Sequence, residues 1–145
     1  MAIISDAQQK QIKEMFDDYL RRPVEVRFYY ADGADPRTAA MQETLARLAE
    51  AAGGRLRVRA RCGRDGQAEA AGYGVERAPA LVLLDGEGRD TRVRFYGLPL
   101  GLELVVLLED LIDVSRGATR LPEPVRKAVR AVDHSLVIQV FTTPT

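Results

Sequence analysis

The chain has 145 residues, 21 basic and 21 acidic side chains, one cysteine and one histidine. At this length a 46% apolar fraction suits one globular domain with its own core, and the balanced charge gives no electrostatic footprint for nucleic acid or an anionic membrane. One cysteine excludes an intrachain disulfide, a CxxC pair and a multi-cysteine zinc site, and His134 is left as the lone imidazole.

The start, Met1-Ala-Ile-Ile-Ser-Asp-Ala-Gln-Gln-Lys10, has no basic segment followed by an apolar core, so it is not a signal peptide. The most apolar stretch, Leu98 to Leu108, is too short to span a bilayer and carries Glu103. The expectation is a cytoplasmic protein.

Ser5 and Gln8 form a capping-box pair that opens a helix running to about Leu20, with Ile12, Met15, Phe16 and Tyr19 at helical spacing. Pro23 closes it, and Val24 to Tyr30 alternates as a strand. A second helix starts near Asp35-Pro36, with Asp35 as cap and Pro36 at the first helical position. Met41, Leu45, Leu48 and Ala52 form its inner stripe, and Gly53-Gly54 stops it. Arg55 to Arg61 alternates arginine with Leu56, Val58 and Ala60, a second strand. Gly63 to Gly66 turns the chain into a short helical stretch around Gln67 to Tyr73. Val75 to Leu84 ends in a continuous apolar run, the pattern of a strand buried on both faces. Asp85-Gly-Glu-Gly88 is a hairpin turn into the strand Thr91 to Tyr96. A last long helix carries Leu104, Val105, Leu108, Leu111 and Ile112, with Gly117 as its stop.

The order is α-β-α-β-α-β-β-α. Helix-linked strands favour a parallel right-handed crossover and the hairpin forces an antiparallel pair. A mixed four-stranded sheet with helices on both faces follows, an α/β sandwich spanning residues 1–117. Residues 118–145 repeat the opening: a helix over about 122–132 and a strand over about 136–142. At an offset of 113 positions Ile12, Phe16 and Tyr19 fall on Val125, Val129 and Val132, and Val24 and Phe28 fall on Val137 and Phe141. The expectation is an incomplete second copy of the fold. Its strand, alone, is an open β edge, and is expected to pair with its own sheet, a second chain or the rest of a second unit.

Ile4-Ser-Asp-Ala7, Glu76-Arg-Ala-Pro-Ala80, Arg94-Phe-Tyr-Gly-Leu-Pro99, Leu108-Glu-Asp-Leu-Ile-Asp-Val-Ser-Arg116 and Val140-Phe-Thr-Thr-Pro-Thr145 resemble segments of the tandem-thioredoxin protein disulfide oxidoreductases, glutaredoxin-like proteins built from two thioredoxin units. The amino-terminal region of bacterial alkyl hydroperoxide reductase flavoproteins has a similar plan, with a first unit that lacks the cysteine pair. The resemblance implies a thioredoxin-like sandwich with an extra N-terminal helix. In that family a CxxC sits at the start of the helix after the first strand, where backbone amides and the helix dipole lower the thiol pKa. The position falls here on Asp35, Pro36, Arg37 and Thr38, which carry no sulfur. The second CxxC would follow Thr145, where the sequence ends. The resemblance thus implies a unit without its own disulfide chemistry, no cofactor and no metal. Its partners would be protein or peptide thiol/disulfide substrates or a catalytic thioredoxin-like second unit. The alternative is a standalone module that forms a homodimer through its C-terminal helix and strand.

The family also places a cis-proline at the start of its third strand. Pro79 takes that place, and Ala78 would offer its backbone to an extended peptide, with the Asp35 helix start as the facing wall. Asp35 is otherwise a helix cap. Cys62, flanked by Arg61 and Arg64, reads as a small buried or half-buried residue, with redox sensing as its functional alternative. His134 reads as a surface residue, and Glu109, Asp110 and Asp113 as the solvated face of an amphipathic helix.

Overall fold

The computed structural model describes residues 3–142. Residues 143–145, the end of the Val140–Thr145 resemblance, lie outside the described residues. Helix α1 (Asp6–Tyr19) begins on the full capping box: the Gln8 amide donates to the Ser5 hydroxyl (3.3 Å) and the Ser5 amide to the Gln8 side chain (2.8 Å). Its last carbonyls are capped from a distance, because Arg55 donates to the Phe16 and Leu20 carbonyls at 3.1 and 3.0 Å. Strand β1 (Val24–Tyr30), helix α2 (Pro36–Ala51), strand β2 (Leu56–Cys62) and helix α3 (Gly63–Gly72) follow. Strands β3 (Ala80–Asp85) and β4 (Asp90–Tyr96), helix α4 (Leu102–Arg116) and helix α5 (Glu123–Arg130) complete the order.

The sheet runs β2-β1-β3-β4. The helix-linked strands β1 and β2 are parallel, with Val26 beside Val58, and the β1–β3 and β3–β4 pairs are antiparallel. The larger core lies between the sheet and α1, α2 and α4, around Phe16, Phe28, Met41, Leu45, Leu48, Leu83, Leu107 and Leu111. A smaller one lies under α3, around Tyr29, Ala70, Val75, Ala80, Val82 and Leu84. The apolar run of the third strand is buried throughout from Ala80 to Leu84, as a strand covered on both sides must be.

Several boundaries and facings differ from the sequence reading. The third strand starts at Ala80 and not near Val75, because Pro79 has no amide to offer a ladder. On α4, Leu107 is buried whereas Val105 is half exposed. Residues 104, 107, 108, 111 and 112 make a tighter helical stripe than one containing 105. Buried Ser115 ties the end of α4 to the start of the sheet, accepting from the Arg22 amide and donating to the Arg22 carbonyl, both at 2.7 Å.

The largest correction concerns the end of the chain. The expected helix exists as α5, but none of its residues is buried. The expected strand over 136–142 does not form: residues 135–142 have no ladder partner. Val137, Ile138, Val140 and Phe141 are each more than four-fifths exposed. An extended segment has no hydrogen-bond ladder of its own, so without a neighbour it stays unpaired.

Candidate functional site

The carboxyl ends of β1 and β2, the start of α2 and the loop before β3 all come to one end of the sheet. Ligands of α/β sheets commonly sit outside the carboxyl ends of strands. Here β1 ends in Tyr29-Tyr30, with Tyr30 in register with Cys62 at the end of β2.

The start of α2 is built as a self-satisfied cap. Asp35 accepts from the Arg37 amide at 2.9 Å, and the Arg37 guanidinium folds back onto the same carboxylate at 3.1 Å. The Arg37 side chain and then its amide hold the Asp35 carboxyl below its ordinary value. The Asp35 carboxylate is thus engaged in capping α2 and in holding the Arg37 side chain. Thr38 is buried. Both ends of the four-residue stretch are thereby committed to structure.

The Ala78–Pro79 peptide is cis. The Pro79 carbonyl accepts from the Gly97 amide at 2.8 Å, so the loop 97–101 is anchored beside it. Beyond that anchor Leu100, and Leu102, Val105 and Val106 in the first turns of α4, are each about half exposed or more, an apolar rim at the start of that helix. Ala78 is itself exposed and lines a cavity of about 310 Å³ with Arg77, Tyr29, Tyr30, Ala31, Gly66 and Val75 among its other walls. The cavity therefore faces α3 and the end of β1. Neither Asp35 nor Pro79 lines it, so this cavity is not the expected groove of Ala78 and Pro79 facing the Asp35 helix start. Gly66 allows the close approach of α3, since a Cβ there would meet the Arg61 backbone at 3.0 Å.

Behind Tyr29, one of the cavity walls, lies a cluster of charged side chains. Buried Tyr29 donates its hydroxyl to Glu69 at 2.9 Å, and Arg27 pairs with Glu69 and with buried Glu25. Burial and then the hydrogen bond to Glu69 raise the Tyr29 hydroxyl well above its ordinary value, so it stays protonated. Burial works to raise the Glu69 carboxyl, but Tyr29, Arg27 and Arg61 outweigh it and leave it lowered.

Cys62 is exposed, not buried. It stands just before the first residue of α3 without a side-chain capping bond. It lies in register with Tyr30, and its thiol, then burial, raises the pKa of the Tyr30 hydroxyl. His134 is exposed and contacts Asp133 at 3.0 Å. Glu109, Asp110 and Asp113 gather on α4, where burial and then Asp113 and Glu109 raise the Asp110 carboxyl. Among the described residues no group of three or more His, Cys, Asp or Glu side chains is placed to hold a metal ion. No described helix is long and apolar enough to cross a membrane.

Tyr29, Glu69 and Gly66 were missed by the sequence reading. The available signal was positional: an aromatic pair closing the first strand of an α/β sheet points to the ligand end.

No protein-family model and no curated protein matches the chain. Solved structures do match. The alkylhydroperoxide reductase component AhpF of Enterococcus faecalis is 23% identical with a TM-score of 0.74, over 88% of this chain and 60% of that one. A protein disulfide oxidoreductase from Aeropyrum pernix is 20% identical with a TM-score of 0.74, over 90% of this chain and 56% of that one. The fold is thioredoxin-like. An N-terminal domain of the Enterococcus protein, solved by itself, is similar as well: 22% identity and a TM-score of 0.73, over 87% of this chain and 59% of that domain. The chain thus spans less than two thirds of the length of each of these thioredoxin-like relatives.

Proposed function

We propose that this chain is a redox-inactive thioredoxin-like docking unit in thiol–disulfide exchange. It would hold a substrate segment, or a catalytic thioredoxin-like unit, without cycling a disulfide of its own. One observation carries the reading: an accessible Ala78 beside a cavity and an apolar rim accompanies a helix start, Asp35 to Thr38, with no sulfur and no free acid. An extended peptide would lay its backbone along Ala78 and an apolar side chain on Leu100, Leu102 and Val105. The similar Aeropyrum protein is named a disulfide oxidoreductase. In this chain the same fold would keep the recognition surface and leave the exchange to another cysteine pair.

The test combines binding with turnover. In the 145-residue protein a disulfide-containing peptide should shift the amide resonances of Ala31, Ala78 and Leu102, equally with or without Cys62→Ser, and disulfide reduction should be absent. Reductase activity that disappears in Cys62→Ser would overturn the non-catalytic reading. Binding centred elsewhere would overturn the docking surface.

A specific observation favours a second reading, assembly through the C-terminal region as a homodimer. Val125, Val129, Val132, Val137, Ile138 and Phe141 are between two-fifths and nine-tenths exposed, a concentration of open apolar side chains in one short stretch of chain, of the kind that marks interaction surfaces. Sedimentation would then give a dimer that is lost on deletion of residues 136–145. A monomer at high concentration would remove this reading and leave the first untouched.

A further inference from the structure

The two edges of the sheet differ. Strand β4 is irregular, with a register shift opposite Val82–Leu84 and a left-handed Arg92 (φ 65°). Strand β2 is regular over all seven residues and, among the described residues, pairs only with β1. Its outer edge therefore offers a row of unpaired backbone donors and acceptors.

That edge is basic along one face. Arg57, Arg59 and Arg61 are in register with Glu25, Arg27 and Tyr29, and so share the side on which α3 sits. Leu56, Val58 and Ala60 point the other way, into the main core. Each of the three arginines is about half exposed. Their carboxylates are shared: Glu25 serves Arg27, Arg57 and Arg59, and Glu69 serves Arg27 and Arg61. Four guanidiniums thus have two carboxylates, and the ion pairs of Arg57, Arg59 and Arg61 are loose, at 3.8, 3.6 and 3.7 Å, although Arg57 also donates to the Gly86 carbonyl at 3.0 Å. The surplus lies on a chain whose formal charge is zero, so it is a local feature of this edge.

We propose that the β2 edge is a docking surface for an extended acidic protein segment, added as a fifth strand with carboxylates at alternate positions. Strand geometry supplies the match. Alternate side chains repeat every ~6.6–6.8 Å in both strands, so successive carboxylates meet successive arginines while the backbones form a ladder. Guanidinium–carboxylate pairs are strong, directional hydrogen bonds. A second copy of β2 brought to the same edge would set arginine against arginine, so the charge that attracts an acidic strand also rejects self-pairing. The open backbone edge selects a peptide over a nucleic acid, which brings charge but no ladder. The surface lies outside the Ala78 cavity, so the proposal stands or falls separately from the docking function proposed above.

The experiment uses the whole 145-residue chain and two ten-residue peptides of identical composition, one alternating glutamate and threonine, the other with the glutamates in one block. The alternating peptide should bind about tenfold more tightly by calorimetry. Arg59→Ala with Arg61→Ala should remove most of that advantage, and Arg59→Lys, which keeps the charge but loses the fork, should fall between. Hydrogen exchange should slow over residues 56–62 and stay unchanged over 90–96. Equal binding of the two peptides, protection at β4, or retained affinity in a double variant with native circular dichroism would overturn the proposal. Tighter binding of a single-stranded oligonucleotide of equal charge would overturn it too, marking the edge as a general polyanion surface.

Discussion

Helix α1 with strand β1, and helix α5 with the segment after it, carry the same apolar pattern 113 positions apart and end in opposite states. In the first, Ile12, Phe16, Val24 and Phe28 are buried, because α2, α4 and three further strands close around them. In the second, Val125, Val129, Val137 and Phe141 lie open. The helix persists in both since its hydrogen bonds are internal to it. The strand persists only in the first, where β2 and β3 flank β1 on its two sides. The comparison separates what local pattern can build from what needs a neighbour.

The largest break in that symmetry is expected from truncating equivalent side chains. Phe16→Ala should cost about 3–5 kcal/mol, the usual loss on emptying an aromatic site in a packed core. Val129→Ala at the matching tail position should change the stability of the 145-residue chain, read from urea denaturation, by less than about 0.5 kcal/mol. Equal losses would mean that the tail is packed in solution. A smaller effect distinguishes the two helix starts. Ser5→Ala removes a capping box and should cost about 1 kcal/mol. Pro122, which caps α5 without a side-chain bond, should tolerate Pro122→Ala with no loss of domain stability, read from the same denaturation curves.

The smallest effects are pH-dependent and opposite in sign. Glu69 has a lowered carboxyl pKa, so its contribution is present above the ordinary carboxylate value of 4.5 and is lost as pH falls through the lower folded value. Glu69→Gln should therefore flatten the acid limb of the stability profile. Asp110 is raised; its contribution is full below 3.8 and is lost as pH climbs through the higher folded value. Asp110→Asn should stabilise the protein at neutral pH by less than about 1 kcal/mol and make no difference near pH 3. A neutral-pH destabilisation would show that the carboxylate has a partner in solution.

Much of the architecture follows from short-range rules. The Ser5–Gln8 box, the Asp35-Pro36 start, the alternation of β1 and the Gly117 stop use contacts within a few residues, and each marks an element of the structure. Facing is less local: Leu107 and Val105 are both apolar neighbours of the same stripe, and only the direction of the sheet decides which is buried. The candidate site depends on longer-range contacts still. Glu69 matters because α3 sets it against Tyr29 and Arg27, about forty residues away in sequence.

By itself, then, the sequence determined the kinds and order of the elements as far as α5, the parallel β1–β2 link, the absence of sulfur from Asp35 to Thr38, and the impossibility of an internal disulfide. These depend on residue identity and local spacing. Only the tertiary structure decided that Cys62 is exposed beside Tyr30, that Ala78 shares a cavity with α3, that two carboxylates are shared among four arginines, and that residues 135–142 have no strand partner. Each is a question of which distant surface arrives, and burial, charge sharing and β pairing exist only once it has.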